Sequence, residues 1–437
     1  MARCWRIGHP SSNDVLCPRV AVPNPILRFR ISNLDSPSRW LPLASEMSQQ
    51  RIYYFDNNAT TRVAPEVVEA MTPYFTEFWG NPSSAYEFGN QVVRQLDEAR
   101  EKVAVLIGAD PREIVFTSCG TEANNTALHS ALITQPGKRH LLTTAVEHSA
   151  NIKYGEYLRR RGYEVTFLPV ESDGSLDLHL LEKSIRPDTA MVSVMWANNE
   201  TGVLFPLEEI AAICRSKGVL YHTDAVQVPG KLKMDVDELG VDFLSLSAHK
   251  LHAPKGVGLL YCRYTAPYHG HILGGGQEKG RRGGTENVPY IVGFGRAAEL
   301  AIASINDENT RIRALRDRLE QTILRIIPNT SRNGGRDARL PNTSNIAFDG
   351  CEAEGILLLL GREGICVSSG SACTTGSMAP SHVLTAMGLT PARARSSIRF
   401  SLGIYNTAED VDYLLEKLPP IIERLRATPI GAETKVG

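Results

Sequence analysis

From Ile52 onward, short apolar runs alternate with segments whose apolar residues return every three or four positions, a pattern of strands alternating with helices. Glu113 to Thr117 reads as a buried strand, Thr121 to Ile133 as a helix, His140 to Thr144 as a strand and Ser149 to Arg161 as a helix. The grammar continues through strands Ala190 to Met195, Val219 to His222, Asp242 to Leu246 and Val257 to Tyr261, with a helix from Pro206 to Lys217. Gln91 to Ile107 places Val92, Leu96, Ala99, Val103 and Leu106 on one stripe, which marks a packing helix and no chemistry. These patterns predict an α/β fold with a mostly parallel sheet covered by helices. Beyond Glu308, a charged helix (308–327) precedes Thr343 to Phe348, Glu352 to Leu360, Ile365 to Ser368 and Ser396 to Ser401, the pattern of a smaller α+β domain. The expected division is an extension outside the fold (1–46), an N-terminal segment joining the small domain (52–80), a large domain (81–307) and the small C-terminal domain (308–437).

Residues 1–46 break the pattern. They hold six of the 25 prolines and six arginines, no lysine and no periodicity. Arginine and serine are enriched as in an organellar transit peptide, but the prolines and Asp14, Asp35 and Glu46 do not suit one. A start at Met47 is the simpler account, with a cytoplasmic location. The 437 residues carry a net charge of −1, so no basic field exists to hold nucleic acid or an anionic membrane. The longest purely aliphatic run, Ile356 to Leu360, is far short of the roughly 20 residues that span a bilayer, and no membrane association is expected. Eight cysteines are scattered with no Cys-x-x-Cys pair, which argues for a reducing setting and against a structural zinc or disulfide framework.

Against that background a few strand ends carry chemistry. Lys250 lies in Ser-Leu-Ser-Ala-His-Lys-Leu-His-Ala-Pro-Lys-Gly (245–256), directly after the apolar run Val241 to Leu246. It reads as a Schiff-base lysine, its pKa expected to be lowered by His249 and Lys255. Ser118-Cys119-Gly120-Thr121 opens a helix after a strand, which can be a phosphate cradle or a plain helix cap. Asp224 ends a strand where open sheets bind ligands and could pair with a protonated pyridine nitrogen, or simply cap a helix. His148 follows a strand and could stack on a ring, while Asn198 and Asn199 offer amides to a phenolate oxygen and a carboxylate. Taken together, these strand ends fit pyridoxal 5'-phosphate. Val367 to Ser377 surrounds Cys373 with small residues, the composition of a loop free to move and to carry a thiol in and out of a site.

Asp56-Asn57-Asn58-Ala59-Thr60-Thr61, Asn81-Pro82-Ser83-Ser84, Glu147-His148-Ser149-Ala150, Asn198-Asn199-Glu200-Thr201-Gly202, His222 to Gln227 and His249 to Gly256 resemble the cysteine desulfurases among class V, fold-type I pyridoxal-phosphate enzymes. Trp196 to Gly202 and Arg282 to Asn287 are similar to the nitrogenase-associated NifS branch. The resemblance implies a large domain with a mostly parallel seven-stranded sheet and a smaller α+β domain. It implies that Lys250 carries the cofactor, that Gly120, Thr121, Ser247 and His249 hold its phosphate, and that Thr285 reaches the phosphate from the second subunit of a homodimer. Asp224 would bind the pyridine nitrogen, Asn199 and Gln227 the ring oxygen, and His148 would stack on the ring and help move protons. Arg399, with Asn58 and Asn199, would hold the substrate carboxylate. L-Cysteine would give up its sulfur to Cys373 as a persulfide and leave as L-alanine. Cys373 would pass the sulfur to an iron–sulfur scaffold protein, and through that persulfide it is the one candidate, transient, metal ligand. Two other readings compete: a class V aminotransferase or selenocysteine lyase, which the thiol loop separates, and a cofactor-less iron–sulfur scaffold, against which the cysteine spacing speaks.

Overall fold

The computed structural model describes residues 51–369 and 380–427. The extension 1–46 and Cys373 therefore lie outside the described residues. Among the described residues the strands are β1 (Tyr53–Tyr54), β2 (Ile114–Thr117), β3 (His140–Thr144), β4 (Glu164–Leu168), β5 (Thr189–Ser193), β6 (Leu220–Asp224), β7 (Phe243–Ser247), β8 (Gly258–Cys262), β9 (Thr330–Arg332), β10 (Thr343–Phe348), β11 (Ile365–Cys366) and β12 (Ser397–Ser401).

Seven of them form one sheet in the order β2-β8-β7-β6-β5-β3-β4. The pairs β3–β4, β3–β5, β5–β6 and β6–β7 are parallel, and only β8 runs against its neighbours. Every residue of β2, β3, β5, β7 and β8 is buried, as expected of strands covered by helices on both faces. One buried histidine ties neighbouring strands of this sheet together. His222, fully buried, sets Nδ1 2.8 Å from Ser193 Oγ and Nε2 2.9 Å from Ser245 Oγ, tying three adjacent strands. A second, antiparallel sheet, β12-β10-β9, has its own apolar core, built from Phe55, Ile346, Phe348, Ile398, Phe400 and the helices Arg313–Ile326 and Ala408–Ala427.

The predicted elements appear within one or two residues at most ends, and the omissions have local causes. Strand β4 is exposed at Glu164 and only partly buried at Thr166 and Phe167, so its apolar signal is diluted. The helix Ala408–Ala427 contains Pro419 and Pro420, residues that argue against a helix interior. It survives because Val411, Leu414, Leu418 and Ile422 are buried in the second core. The helical run Val288–Ile326 is long and apolar enough, by length and composition, to cross a membrane. Its apolar face is instead spent inside the protein: Ile291, Phe294, Ala297 and Ala298 are buried, and Gly295 lets the helix Glu87–Ile107 approach so closely that an added Cβ would lie 2.8 Å from Ala99 Cα.

Candidate active site

Strands β2, β3, β5, β6 and β7 deliver their following loops to one edge of the large sheet, the edge at which open α/β sheets bind ligands. A cavity of about 340 Å³ opens there, a size suited to a small cofactor and its substrate. Gly120 and Thr121 line it at the N-terminus of the helix Gly120–Thr134. Ser247, His249 and Lys250 line it after β7, and Asp224 and Gln227 after β6. His148, Asn58, Asn199 and Arg399 complete the predicted set. Thr285 is not brought in: it is exposed and lies in a separate groove with Arg282 and Glu278.

Lys250 ends a single tight turn, Ala248–Lys250, that projects it from β7. Its Nζ donates to the carbonyls of Asn58 and Ala59, the latter at 2.8 Å. One of the two groups expected to act on this lysine carries no charge. Burial pushes His249 down to about 4, with Lys250 and Lys255 contributing, so at neutral pH this imidazole is uncharged and is no cation beside the lysine. His249 Nδ1 meets Thr60 Oγ1 at 3.1 Å, and Lys255 is exposed.

Asp224 is buried and does two things at once. Oδ1 accepts from the Val226 backbone at 3.0 Å within a turn, no helix following there for it to cap, and Oδ2 accepts from Asn124 Nδ2 at 2.6 Å. Asn124, absent from the sequence expectations, sits one helical turn beyond Gly120 and so shares its face. His148 caps the helix Ser149–Arg160, its Nδ1 accepting from Ala150 N at 3.2 Å, so the ring's proton sits on Nε2. Burial lowers its pKa; Asp224 opposes that shift, while Lys250 and His382 add to it. Arg399 is buried and partly engaged, with Nη1 on the Asn199 carbonyl at 2.9 Å and Nη2 on Asp56 Oδ1 at 2.7 Å. Of the two amides expected to face a ligand, only Asn199 does. Asn198 is consumed in its own turn, accepting from Glu200 N and Thr201 N and donating to the Val146 carbonyl.

Sequence reasoning also passed over Glu147. Fully buried, it accepts from Thr144 Oγ1, Asn151 Nδ2 and Met195 N, so it joins the ends of β3 and β5 directly behind His148. Burial pushes its carboxyl up to about 7. Its neighbour in the motif, His148, carried the recognisable chemistry, and nothing in the local sequence separates Glu147 from a surface glutamate. Among the described residues no group of three or more His, Cys, Asp or Glu side chains could hold a metal ion.

The family model for class V aminotransferases matches residues 53–414. The chain belongs to the class V aminotransferase family. Within that family it aligns with cysteine desulfurases. Cysteine desulfurase 2 of Trichormus variabilis is 53% identical over 376 residues, covering 86% of this chain and 94% of that protein. Cysteine desulfurase NifS of Azotobacter vinelandii is 51% identical over 374 residues, covering 85% and 93%. Among solved structures, a NifS-like protein superposes with a TM-score of 0.81 at 40% identity, covering 86% of this chain and all of that one. A structure named SspA in complex with cysteine gives 0.72 at 36% identity, covering 81% and 99%.

Class V aminotransferases are pyridoxal 5'-phosphate enzymes, and the cavity fits that group. Three buried polar atoms on its wall lack any hydrogen-bond partner among the described residues: Asn124 Oδ1, Gln227 Oε1 and Arg399 Nε. Groups of this kind cost about 1–3 kcal/mol each when left unsatisfied, so a polar ligand is the expected partner. Where the helix Gly120–Thr134 begins, the backbone must stay bare, because a Cβ on Gly120 would lie 2.9 Å from Val226 Cγ2.

Proposed function

We propose that this family member is a cysteine desulfurase: it converts L-cysteine to L-alanine and takes the sulfur onto Cys373 as a persulfide. The carrying observation is the convergence of Lys250, Asp224, His148 and Arg399 on one cavity from four separate parts of the chain. Bound pyridoxal 5'-phosphate supplies an electron sink for the substrate's Cα. The N-terminus of the helix Gly120–Thr134, with Thr121, Ser247 and His249, holds the phosphate. Asp224, kept in place by Asn124, would take the pyridine nitrogen, and Asn199 and Gln227 the ring oxygen. His148 would stack on the ring and help move protons. Lys250 would hold the cofactor and carry the Cα proton. Arg399, steadied by Asp56, takes the substrate carboxylate with Asn58 and Asn199 beside it. The Cys373 thiolate then attacks the substrate sulfur. A sulfur–sulfur bond forms, the carbon–sulfur bond breaks, its electron pair stays on carbon, and a proton completes alanine.

Thr285 serves the neighbouring site of a homodimer, which accounts for its exposure here. The sulfur passes to an iron–sulfur scaffold protein, in service of nitrogenase metallocluster assembly; the 51% identity to NifS supports that branch. Other cysteines are poor rivals for the nucleophile's role, since burial pushes Cys214 and Cys262 up to about 12. Cys119 does line the cavity, so the test must locate the sulfur. Incubating the holoenzyme with L-cysteine and mapping peptides by mass spectrometry should find one added sulfur on Cys373. Sulfur on Cys119, or alanine formation undiminished in Cys373→Ser, would overturn the reading.

A further inference from the structure

The segment 370–379, which contains Cys373, is flanked on both sides by residues bonded to the substrate end of the cavity. Upstream, Ser368 and Arg399 exchange backbone hydrogen bonds at 3.2 and 2.6 Å. Downstream, Ser381 Oγ donates to Glu200 Oε2 at 2.5 Å, across 181 residues of sequence. Beside it, His382 Nε2 donates to the Glu147 carbonyl at 2.9 Å. Glu200 directly follows Asn199, whose carbonyl receives Arg399 Nη1 at 2.9 Å. The upstream flank thus ends on Arg399 itself, and the downstream flank on Glu200, the residue after the one whose carbonyl receives Arg399.

The Glu200–Ser381 bond joins two buried side chains, each 3% exposed; burial pushes the Glu200 carboxyl up to about 7, and in such surroundings a hydrogen bond is stronger than in water and an unpaired polar group is costly. Covalent geometry explains why such a tie matters. A residue of extended chain spans up to about 3.3–3.6 Å, so with Cys373 five residues after Ser368 and eight before Ser381, covalent reach alone allows the thiol a wide range of positions. Attack on sulfur needs the reacting atoms within about 3–3.5 Å, and a misplacement of about 1 Å can cost a hundred-fold in rate. Fixing both ends narrows that range.

We propose that Glu200 and Ser381 are positioning residues for sulfur transfer, tying the downstream end of the Cys373 segment to the turn that holds Arg399. The inference rests on the function proposed above and adds residues that neither touch the substrate nor hold the cofactor. Ser381 also caps the helix His382–Ala386 through Leu384 N at 3.2 Å, so its loss alone would confound the two roles. Glu200→Ala removes the tie and leaves that cap.

The test is a single turnover of the holoenzyme with L-cysteine, in S381A, E200A and the double variant, with two readouts. One is the cofactor's absorbance change on adding L-cysteine, which reports seating of the substrate. The other is the rate of persulfide appearance on Cys373. Seating should stay within about two-fold of the wild type, while transfer falls about ten-fold or more in each single variant. The double variant should be no slower than S381A alone, because both substitutions remove the same bond and only S381A also removes the cap. Transfer within two-fold of the wild type, seating that falls as much as transfer, or independent losses in the double variant would each refute the assignment. Wild-type enzyme that forms no persulfide refutes the function itself, and that result is visible before any variant is compared.

Discussion

Asp224 and His222 lie two residues apart on β6, yet their surroundings give them opposite tasks. Asp224 reaches the cavity wall, where Asn124 and the Val226 amide hold its carboxylate, the one proposed above to pair with the ring nitrogen. Asp224→Asn keeps the shape and removes the charge, so alanine formation should fall by on the order of a hundred-fold while the fold remains, measured by turnover beside thermal unfolding. His222 points into the sheet, and burial pushes its pKa from 6.5 down to about 3. Because the folded value lies below the unfolded one, the unfolded chain takes up the proton first. Stability is complete above pH 6.5 and drains away as pH falls towards 3. Against His222→Gln, the wild type should lose about 1.4 kcal/mol of relative stability for each pH unit below that point, read from denaturant unfolding across the range. A difference that stays flat with pH would mean the buried imidazole carries a proton.

At the scale of elements, the large sheet is clamped to its helices by groups whose pairing the local sequence does not disclose. Arg100, on the helix Glu87–Ile107, makes a two-pronged bond to Glu278 at 2.8 and 2.7 Å, and Glu278 also accepts from Phe116 N at the sheet's β2 edge. Both side chains are buried, and Glu278 adopts a φ of 46°, a conformation that ordinarily favours glycine. Arg100→Met should destabilise the protein by about 3–5 kcal/mol, since it strands a buried carboxylate, whereas Arg100→Met with Glu278→Gln should recover part of that in the same unfolding assay. The junction of β2 with its helix is sterically tight at Gly120. Gly120→Ala should cost about 1–3 kcal/mol through the clash with Val226, seen as a fall of about ten-fold in cofactor affinity by spectroscopic titration.

For the whole molecule, the position of Thr285 makes a prediction that a single chain cannot test. Thr285→Ala and Lys250→Ala each impair a site, but mixed dimers would rebuild one intact site if Thr285 works across the subunit boundary. Activity on mixing should therefore exceed the sum of the two separate proteins, and no recovery would place Thr285 outside the neighbouring site. The α/β class, the parallel strands and the principal site residues were legible in the chain because each rests on a local pattern: an apolar run, a glycine and hydroxyl opening a helix, a charged residue at a strand end. Lys250, Asp224, His148 and Gly120 all stand where those patterns put them. Asn124 and Asp56 were not legible, since an amide or carboxylate there joins a site only through a partner a hundred or more residues away, as Asn124 does with Asp224 and Asp56 with Arg399, while Glu147 becomes a buried link only once β3 and β5 lie side by side. The proline-containing helix Ala408–Ala427 and the apolar helix from Val288 mislead locally for the same reason, because their stability and placement come from the surfaces they cover. Sequence alone therefore determined which elements form and which residues can do the chemistry, through short-range sterics and periodic burial. Tertiary structure decided which of those groups meet, which are neutral at pH 7, and which are already spoken for, because distance, desolvation and hydrogen-bond partners exist only once the chain has closed on itself.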